Sequence, residues 1–211
     1  KKQETINTNK KTNAYVQCVS HAITRQLGPQ PDFKHWEVVV FDSEQVNAFA
    51  LPGGKIGVYT GLLKVAKNQH QLATVIGHEV AHVMAEHSNE RLSRSQITNI
   101  GLELSSLVMQ GSEYQSVTMA GLGLGVQYGI MMPYGRAQES ESDIIGLRLM
   151  AEAGFDPKQS VELWKNMAKA AGGQQPPELL STHPSHSTRI TELQAEITKL
   201  PASSVSPPRC Q

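Results

Sequence analysis

Apolar positions follow helical spacing in several stretches of the chain and cluster as β-branched runs in others. Val16, Val19, Ile23 and Leu27, with Ala14 and Ala22 between them, predict a helix over 13–27. Gly28-Pro29-Gln30-Pro31 ends it. Trp36-Glu37-Val38-Val39-Val40-Phe41 predicts a strand, and 47–51 a second. Pro52-Gly53-Gly54 is a turn signal, after which Lys55, Ile56, Gly57, Val58, Tyr59 and Thr60 predict a third strand. Further helices are predicted over 68–87, 138–153, 157–171 and 187–200, with Gly172-Gly173 to Pro177 as a loop. No internal repeat is visible.

The stretch 93–132 is less regular. Its first part, 97–108, has helical spacing, while 119–132 is apolar and carries Gly121, Gly123, Gly125 and Gly129. Charged side chains are absent from Tyr114 to Gly135. A membrane span needs about 20 predominantly apolar residues, and Gln127, Tyr128 and the glycines interrupt this one. The expectation is a core helix pair covering the active site. A glycine-hinged lid with peripheral membrane contact is the alternative.

A chain of 211 residues can bury a sizeable core as one domain. We assign 1–200 to that domain and 201–211 to a Pro/Ser-rich tail. Lys plus Arg and Asp plus Glu both number 19, so a basic excess for nucleic acid is absent. The chain begins Lys1-Lys2-Gln3 with no charged-then-apolar leader, so an export signal or anchor is expected to precede it. Cys18 and Cys210 stand in no Cys-x-x-Cys spacing. They are two free thiols or one disulfide tying the first helix to the tail. A disulfide would stabilise by about 5 kcal/mol at most in the chain-entropy model and would imply an oxidising compartment.

The chemistry centres on His78-Glu79-Val80-Ala81-His82. On a helix His78 and His82 are i and i+4, so both imidazoles leave one face and can bind a single zinc ion. Glu79 points beside them, where a general base is needed. The flanking Leu72 to Gly77 and Val83-Met84 are mostly apolar, so the helix is expected to be buried. Two solvated surface histidines do not suit that setting.

A catalytic zinc takes three protein ligands. A metzincin would place Gly at position 85 and His at position 88, where Ala85 and Ser88 stand. His87 lies about 140° round a continuing helix from His82 and reads as a surface residue. Glu139 and Asp143 are i and i+4 on a later helix. Glu139 is the expected third ligand, with Glu141 and Glu103 as alternatives. Asp143 is expected to accept from the far ring nitrogen of a ligand histidine. An acidic helix N-terminus alone would also account for these carboxylates. No Gly-x-Ser-x-Gly elbow suggests a serine enzyme.

With these residues in place, the chain resembles the zinc metallopeptidases of family forty-eight, which include the CAAX prenyl endopeptidase, the HtpX protease and the Oma-type proteases. The resemblance rests on Asn47 to Gly54, Val58 to Leu63, Ile76 to His82, Glu139 to Asp143, Thr182-His183-Pro184 and Arg189-Ile190, in order over residues 35 to 195. It is nearest to the Oma-type branch, whose bacterial members are often periplasmic and lipid-anchored. Many members have Ala where Ser142 stands. The lack of several apolar spans of about 20 residues argues against a membrane-embedded prenyl protease.

The resemblance implies a zincin-like (gluzincin) α+β domain, mainly helical, with a small sheet whose edge strand borders the active site. It implies one zinc per chain and a metalloendopeptidase acting on unfolded or membrane-associated polypeptides, outside the cytoplasm, in envelope quality control. A metal-binding, chaperone-like or latent protein with little turnover is the rival. His183 and Arg189 are implied to lie near the metal, as oxyanion donors or, for His183, as a ligand that holds the enzyme inactive. The strand 55–60 is expected to be an exposed edge that binds an extended peptide by main-chain hydrogen bonds.

Overall fold

A computed structural model describes residues 4–171, 179, 183, 188–201 and 205–210. Of Thr182-His183-Pro184 only His183 falls within it, and the predicted loop 172–177 lies outside. The elements in order are β1 (Thr5–Ile6), α1 (Lys10–Thr24), a 3₁₀ turn (Arg25–Leu27), β2 (Glu37–Asp42), β3 (Ala48–Leu51), β4 (Lys55–Tyr59) and α2 (Leu62–Val65). They continue as α3 (Gln69–Met84), α4 (His87–Val108), α5 (Gln115–Val126), a π-helical turn (Gln127–Met131), α6 (Met132–Glu152), α7 (Lys158–Ala171) and α8 (Arg189–Ile197). The result is a mainly helical α+β fold with one small mixed sheet.

Local chemistry sets the helix boundaries. Asn9 caps α1 by accepting from the Thr12 N–H, and Asn68 caps α3 by accepting from Gln71. At the other end of α3, Glu86 adopts the left-handed conformation with φ 54°, the only non-glycine residue with positive φ among those described. That turn separates α3 from α4 and ends the helix before His87.

The strand order is β1-β2-β4-β3. β4 pairs in parallel with β2 and antiparallel with β3, through a turn in which Gly53 and Gly54 have φ of 86° and 76°. This corrects the expectation for 55–60: Lys55, Ile56, Gly57, Val58 and Tyr59 form an inner strand paired on both sides, and Thr60 follows it. Their main-chain groups are engaged, so they offer no free edge to a peptide. The edges of the sheet are the two-residue β1 and, on the side of β4, β3.

α3 is the central element and packs against α1, β3, α6 and α7. Its Leu72, Val75, Ile76 and Val80 meet Val16, Val19 and Ile23 of α1, Val40, Ile56 and Val58 of the sheet, and Met150, Leu163 and Met167 in one buried core. A disulfide joins Cys18 on α1 to Cys210, whose N–H also donates to Gln69 at the start of α3.

α3 and α6 meet at Gly77 and Gly146. A Cβ on Gly77 would lie 2.8 Å from the Gly146 carbonyl oxygen, and one on Gly146 would lie 2.7 Å from the Gly77 carbonyl carbon. Backbone faces backbone there, with no flexible side chain to yield. Gly77→Ala is therefore expected to destabilise by roughly 1–3 kcal/mol, as overpacking does. Gly101→Ala, on α4 with open space around it, is expected to be neutral or stabilising by up to about 1 kcal/mol. Urea denaturation of the two variants distinguishes a steric clash from helix propensity. Equal effects would remove the close-contact argument.

The expected core helix pair over 93–132 is not a core pair. α5 has no buried residue, and the buried residue of α4 is His87. Ile97, Ile100, Leu104, Leu107, Val117 and Leu124 are exposed. Apolar composition there does not face the domain interior. No helix among the described residues is long and apolar enough to cross a membrane.

Candidate metal centre

The Gly77–Gly146 contact brings the next turn of α3 against the N-terminal half of α6. His78, Glu79 and His82 come from α3, Glu139 and Asp143 from α6, and all five are buried. One ligand atom each from His78, His82, Glu139 and His183 lies within 4.8 Å of the others. His78 Nε2 is 3.1 Å from His82 Nε2 and 3.1 Å from His183 Nδ1. Glu139 Oε2 is 3.3 Å from His78 Nε2, and its Oε1 is 3.4 Å from His82 Nε2. His183 Nδ1 is 3.1 Å from Glu139 Oε1. A tetrahedral zinc site with bonds of about 2.0–2.2 Å has ligand atoms roughly 3.3 Å apart. The nitrogen and carboxylate donors suit zinc, and their spacing suits one ion.

Electrostatics also mark a cation site. Burial lowers the His78 pKa, but the bonds to Asp143 and Glu139 outweigh it and raise it to about 9. Burial also lowers the His82 pKa, and there it prevails despite Glu139, leaving it at about 4. Burial raises Glu139, but hydrogen bonds from His183, His78 and His82 hold it far below the usual carboxylate range. The cluster thus keeps Glu139 charged beside two neighbouring imidazole nitrogens.

Asp143 Oδ1 is 2.9 Å from His78 Nδ1 and accepts from Arg189 Nη2 at 2.6 Å. The Arg189 guanidinium stacks on the Trp164 ring, 3.4 Å from its centroid. Arg189 has 0% of its surface exposed. This corrects its expected place as an oxyanion donor: it lies behind the ligands, held between Asp143 and Trp164, with no surface from which to touch a substrate.

Glu79 has Oε1 3.3 Å from His183 Nε2, but that oxygen has no hydrogen-bond partner among the described residues. Burial raises the Glu79 pKa, opposed by His183, His78 and the nearby Ala50 N–H of β3. The Tyr59 N–H donates to Asn47 O across the hairpin, so the main-chain groups of Ala48 and Ala50 point to the outer side of β3. The sheet edge and Glu79 are therefore adjacent.

His87 departs from its expected place on the surface. It is 1% exposed, with Nδ1 2.9 Å from His82 Nδ1. The 140° estimate assumed an unbroken helix, and the left-handed Glu86 breaks it. Glu141 does point away from the metal cluster, toward His87 Nε2 at 3.2 Å. Glu103 lies on α4 and is not among the clustered residues. A cavity of about 310 Å³ beside Glu139 is lined by Arg91, Met131, Met132, Tyr134 and Arg136.

Comparisons with known proteins agree with this architecture. The chain is 36% identical over 187 residues to the mitochondrial metalloendopeptidase OMA1 of Schizosaccharomyces pombe, covering 87% of this chain and 52% of that protein. It is 40% identical over 170 residues to the OMA1 of Arabidopsis thaliana, covering 81% and 32%. It is 30% identical over 159 residues to the beta-barrel assembly-enhancing protease of Escherichia coli, covering 72% and 32%. The chain thus spans about half or less of the length of these relatives. The model of peptidase family M48 matches residues 10–197, an interval that contains both helices of the metal cluster, and the chain belongs to that family.

Proposed function

We propose that this chain is a zinc-dependent endopeptidase that hydrolyses peptide bonds of unfolded or damaged proteins. The observation that carries the reading is the convergence of His78, His82 and Glu139 on one point, with the Glu79 carboxylate beside it. These three residues would hold one zinc ion. Bound there, zinc supplies Lewis-acid polarisation of a carbonyl and lowers the pKa of water toward about 7. Glu79 acts as general base on the attacking water and returns the proton to the leaving amine. Its unpartnered Oε1 is the atom for that exchange.

The outer edge of β3 holds the substrate in extended form, since the Ala48 and Ala50 main-chain groups face away from β4 and Ala50 lies beside Glu79. Main-chain pairing reads little side-chain identity, which suits a quality-control protease. Asp143 fixes the His78 ring, and Arg189 fixes Asp143. His183 has two functions in this reading. Its Nδ1, 3.1 Å from His78 Nε2 and from Glu139 Oε1, would add a donor to the set and close the site. Once displaced by substrate, it donates to the developing oxyanion. A closed resting state favours a latent enzyme over a metal-binding chaperone. The disulfide and the names of the relatives support an envelope or mitochondrial setting, with membrane-associated polypeptides among the substrates.

Unfolded casein is the test substrate. Zinc-loaded protein is expected to cleave it, a strong chelator to abolish cleavage, and added zinc to restore it. Cleavage that survives complete removal of the metal would overturn the reading. Tight zinc binding with no cleavage of any unfolded protein would favour the binding-protein alternative.

A further inference from the structure

We propose that His87 is a positioning residue for the metal centre, fixing the proton on His82 from behind, and that Glu141 fixes His87 in turn. The inference rests on the reading of His78, His82 and Glu139 as a zinc site. Its observations lie on the side of His82 turned away from the clustered donor atoms.

His87 lies at the junction of α3 and α4, turned under His82 by the left-handed Glu86. That conformation is uncommon for a residue other than glycine. The reversed ring is then held on several sides. Its Nδ1 is 2.9 Å from His82 Nδ1 and 3.2 Å from Ser142 Oγ, and its Nε2 is 3.2 Å from Glu141 Oε2. Its carbonyl oxygen accepts from Gln138 Nε2 at 3.4 Å.

The hydrogen-bond roles follow from what each atom can do. An ionised carboxylate only accepts. Glu141 therefore places the His87 proton on Nε2. A neutral imidazole has one N–H, so His87 Nδ1 carries a lone pair. That lone pair accepts from His82 Nδ1–H, and the Ser142 hydroxyl supplies a second donor. His82 is left with its own lone pair on Nε2, the atom facing His78 and Glu139. The opposite tautomer of His87 would set a lone pair against the Glu141 carboxylate and N–H against N–H at His82.

The two ligand histidines are thus oriented by different means. Asp143 holds His78 directly and is buried. A second histidine holds His82, and its own anchor, Glu141, has a side chain 58% exposed. Ser142 is 0% exposed and touches His87.

The test is the zinc dissociation constant of the full chain, measured by competition with a chromophoric chelator. Thermal melts of the metal-free forms report folding separately. His87→Leu removes the acceptor and is expected to weaken zinc binding about 10- to 100-fold, as loss of a residue behind a ligand does. His87→Asn puts Oδ1 where Nδ1 was and is expected to restore most of that affinity. Glu141→Leu is expected to weaken binding, whereas Glu141→Gln, which still accepts through Oε1, is not. A purely structural role would not separate Asn from Leu, or Gln from Leu, once the melts match. Wild-type affinity in His87→Leu, or equal losses in His87→Leu and His87→Asn, would overturn the proposal. Should His87→Leu fail to fold, the exposed Glu141 pair decides, and equal affinities there overturn it. Failure of the wild type to bind zinc would instead overturn the metal reading itself, and this proposal with it.

Discussion

Glu79→Gln is expected to lower peptide hydrolysis by roughly 10²–10⁴-fold while leaving zinc affinity near that of the wild type. That range is what a positioned general acid–base contributes. It corresponds to about 3–5 kcal/mol on the barrier at 1.36 kcal/mol per tenfold. The amide has nearly the shape of the carboxyl, so it fits the same buried space beside Ala50. What is lost is the ability to take a proton. Glu79 is outside the clustered donor set, so metal binding has no reason to fall. Stability gives an independent sign. Burial raises the Glu79 pKa in the folded state. Its ionised form is therefore better tolerated in the unfolded chain, and this carboxyl detracts from stability increasingly as pH rises past its unfolded pKa. Replacing it by a neutral amide should leave the melting temperature at pH 7 unchanged or higher. A variant that loses activity through unfolding would melt lower. Retention of most of the wild-type rate by a folded, zinc-bound Glu79→Gln would remove Glu79 from the mechanism.

Arg189→Leu is expected to destabilise the domain by roughly 3–5 kcal/mol, the usual cost of removing one partner of a buried ion pair. Arg189 is fully buried, donates to Asp143 at 2.6 Å and stacks on Trp164. Its removal leaves Asp143 buried with His78 as its remaining partner among the hydrogen bonds described. The double variant Arg189→Leu/Asp143→Asn removes the stranded charge and should recover part of the loss. Chemical denaturation of the single and double variants measures that coupling. A loss below about 1 kcal/mol in the single variant, within the range of surface substitutions or exposed ion pairs, would show that the pair is not an anchor.

Much of the site can be read from local spacing, and the rest depends on how distant elements meet. The i, i+4 relation puts His78 with His82 and Glu139 with Asp143 on the correct helix faces, because helical geometry is local. The same reasoning misplaces His87, because a single backbone conformation at Glu86 redirects everything after it. Three strands in succession suggest that neighbours in sequence are neighbours in the sheet, which would leave β4 at the rim. The parallel β2–β4 pairing instead inserts β4 between β2 and β3, and no residue in 55–60 signals that. Alternation reports which side of a strand is apolar, not which strand lies beside it. The 93–132 stretch fails for another reason. Leu104 and Leu124 look alike in sequence whether they face a core or not, and here they face outward. Arg189 shows the same limit: the resemblance implies its nearness to the cluster but not the side from which it approaches. The Gly77–Gly146 contact could have been suspected from a glycine next to His78, had a second glycine seven residues beyond Glu139 been weighed with it.

The Cys18–Cys210 bond has a consequence for the order of biosynthesis. Its two halves are separated by 192 residues, and a ribosome makes them at opposite ends of this stretch of chain. α1, the sheet, the metal helix and α6 must all have been synthesised before the second thiol exists. Covalent closure is therefore a late event, and it requires surroundings that oxidise thiols. A chain still in a reducing compartment would hold its first helix by packing alone. Oxidation would then fasten α1 and the segment at Cys210 to the start of α3 only once the chain has met such surroundings.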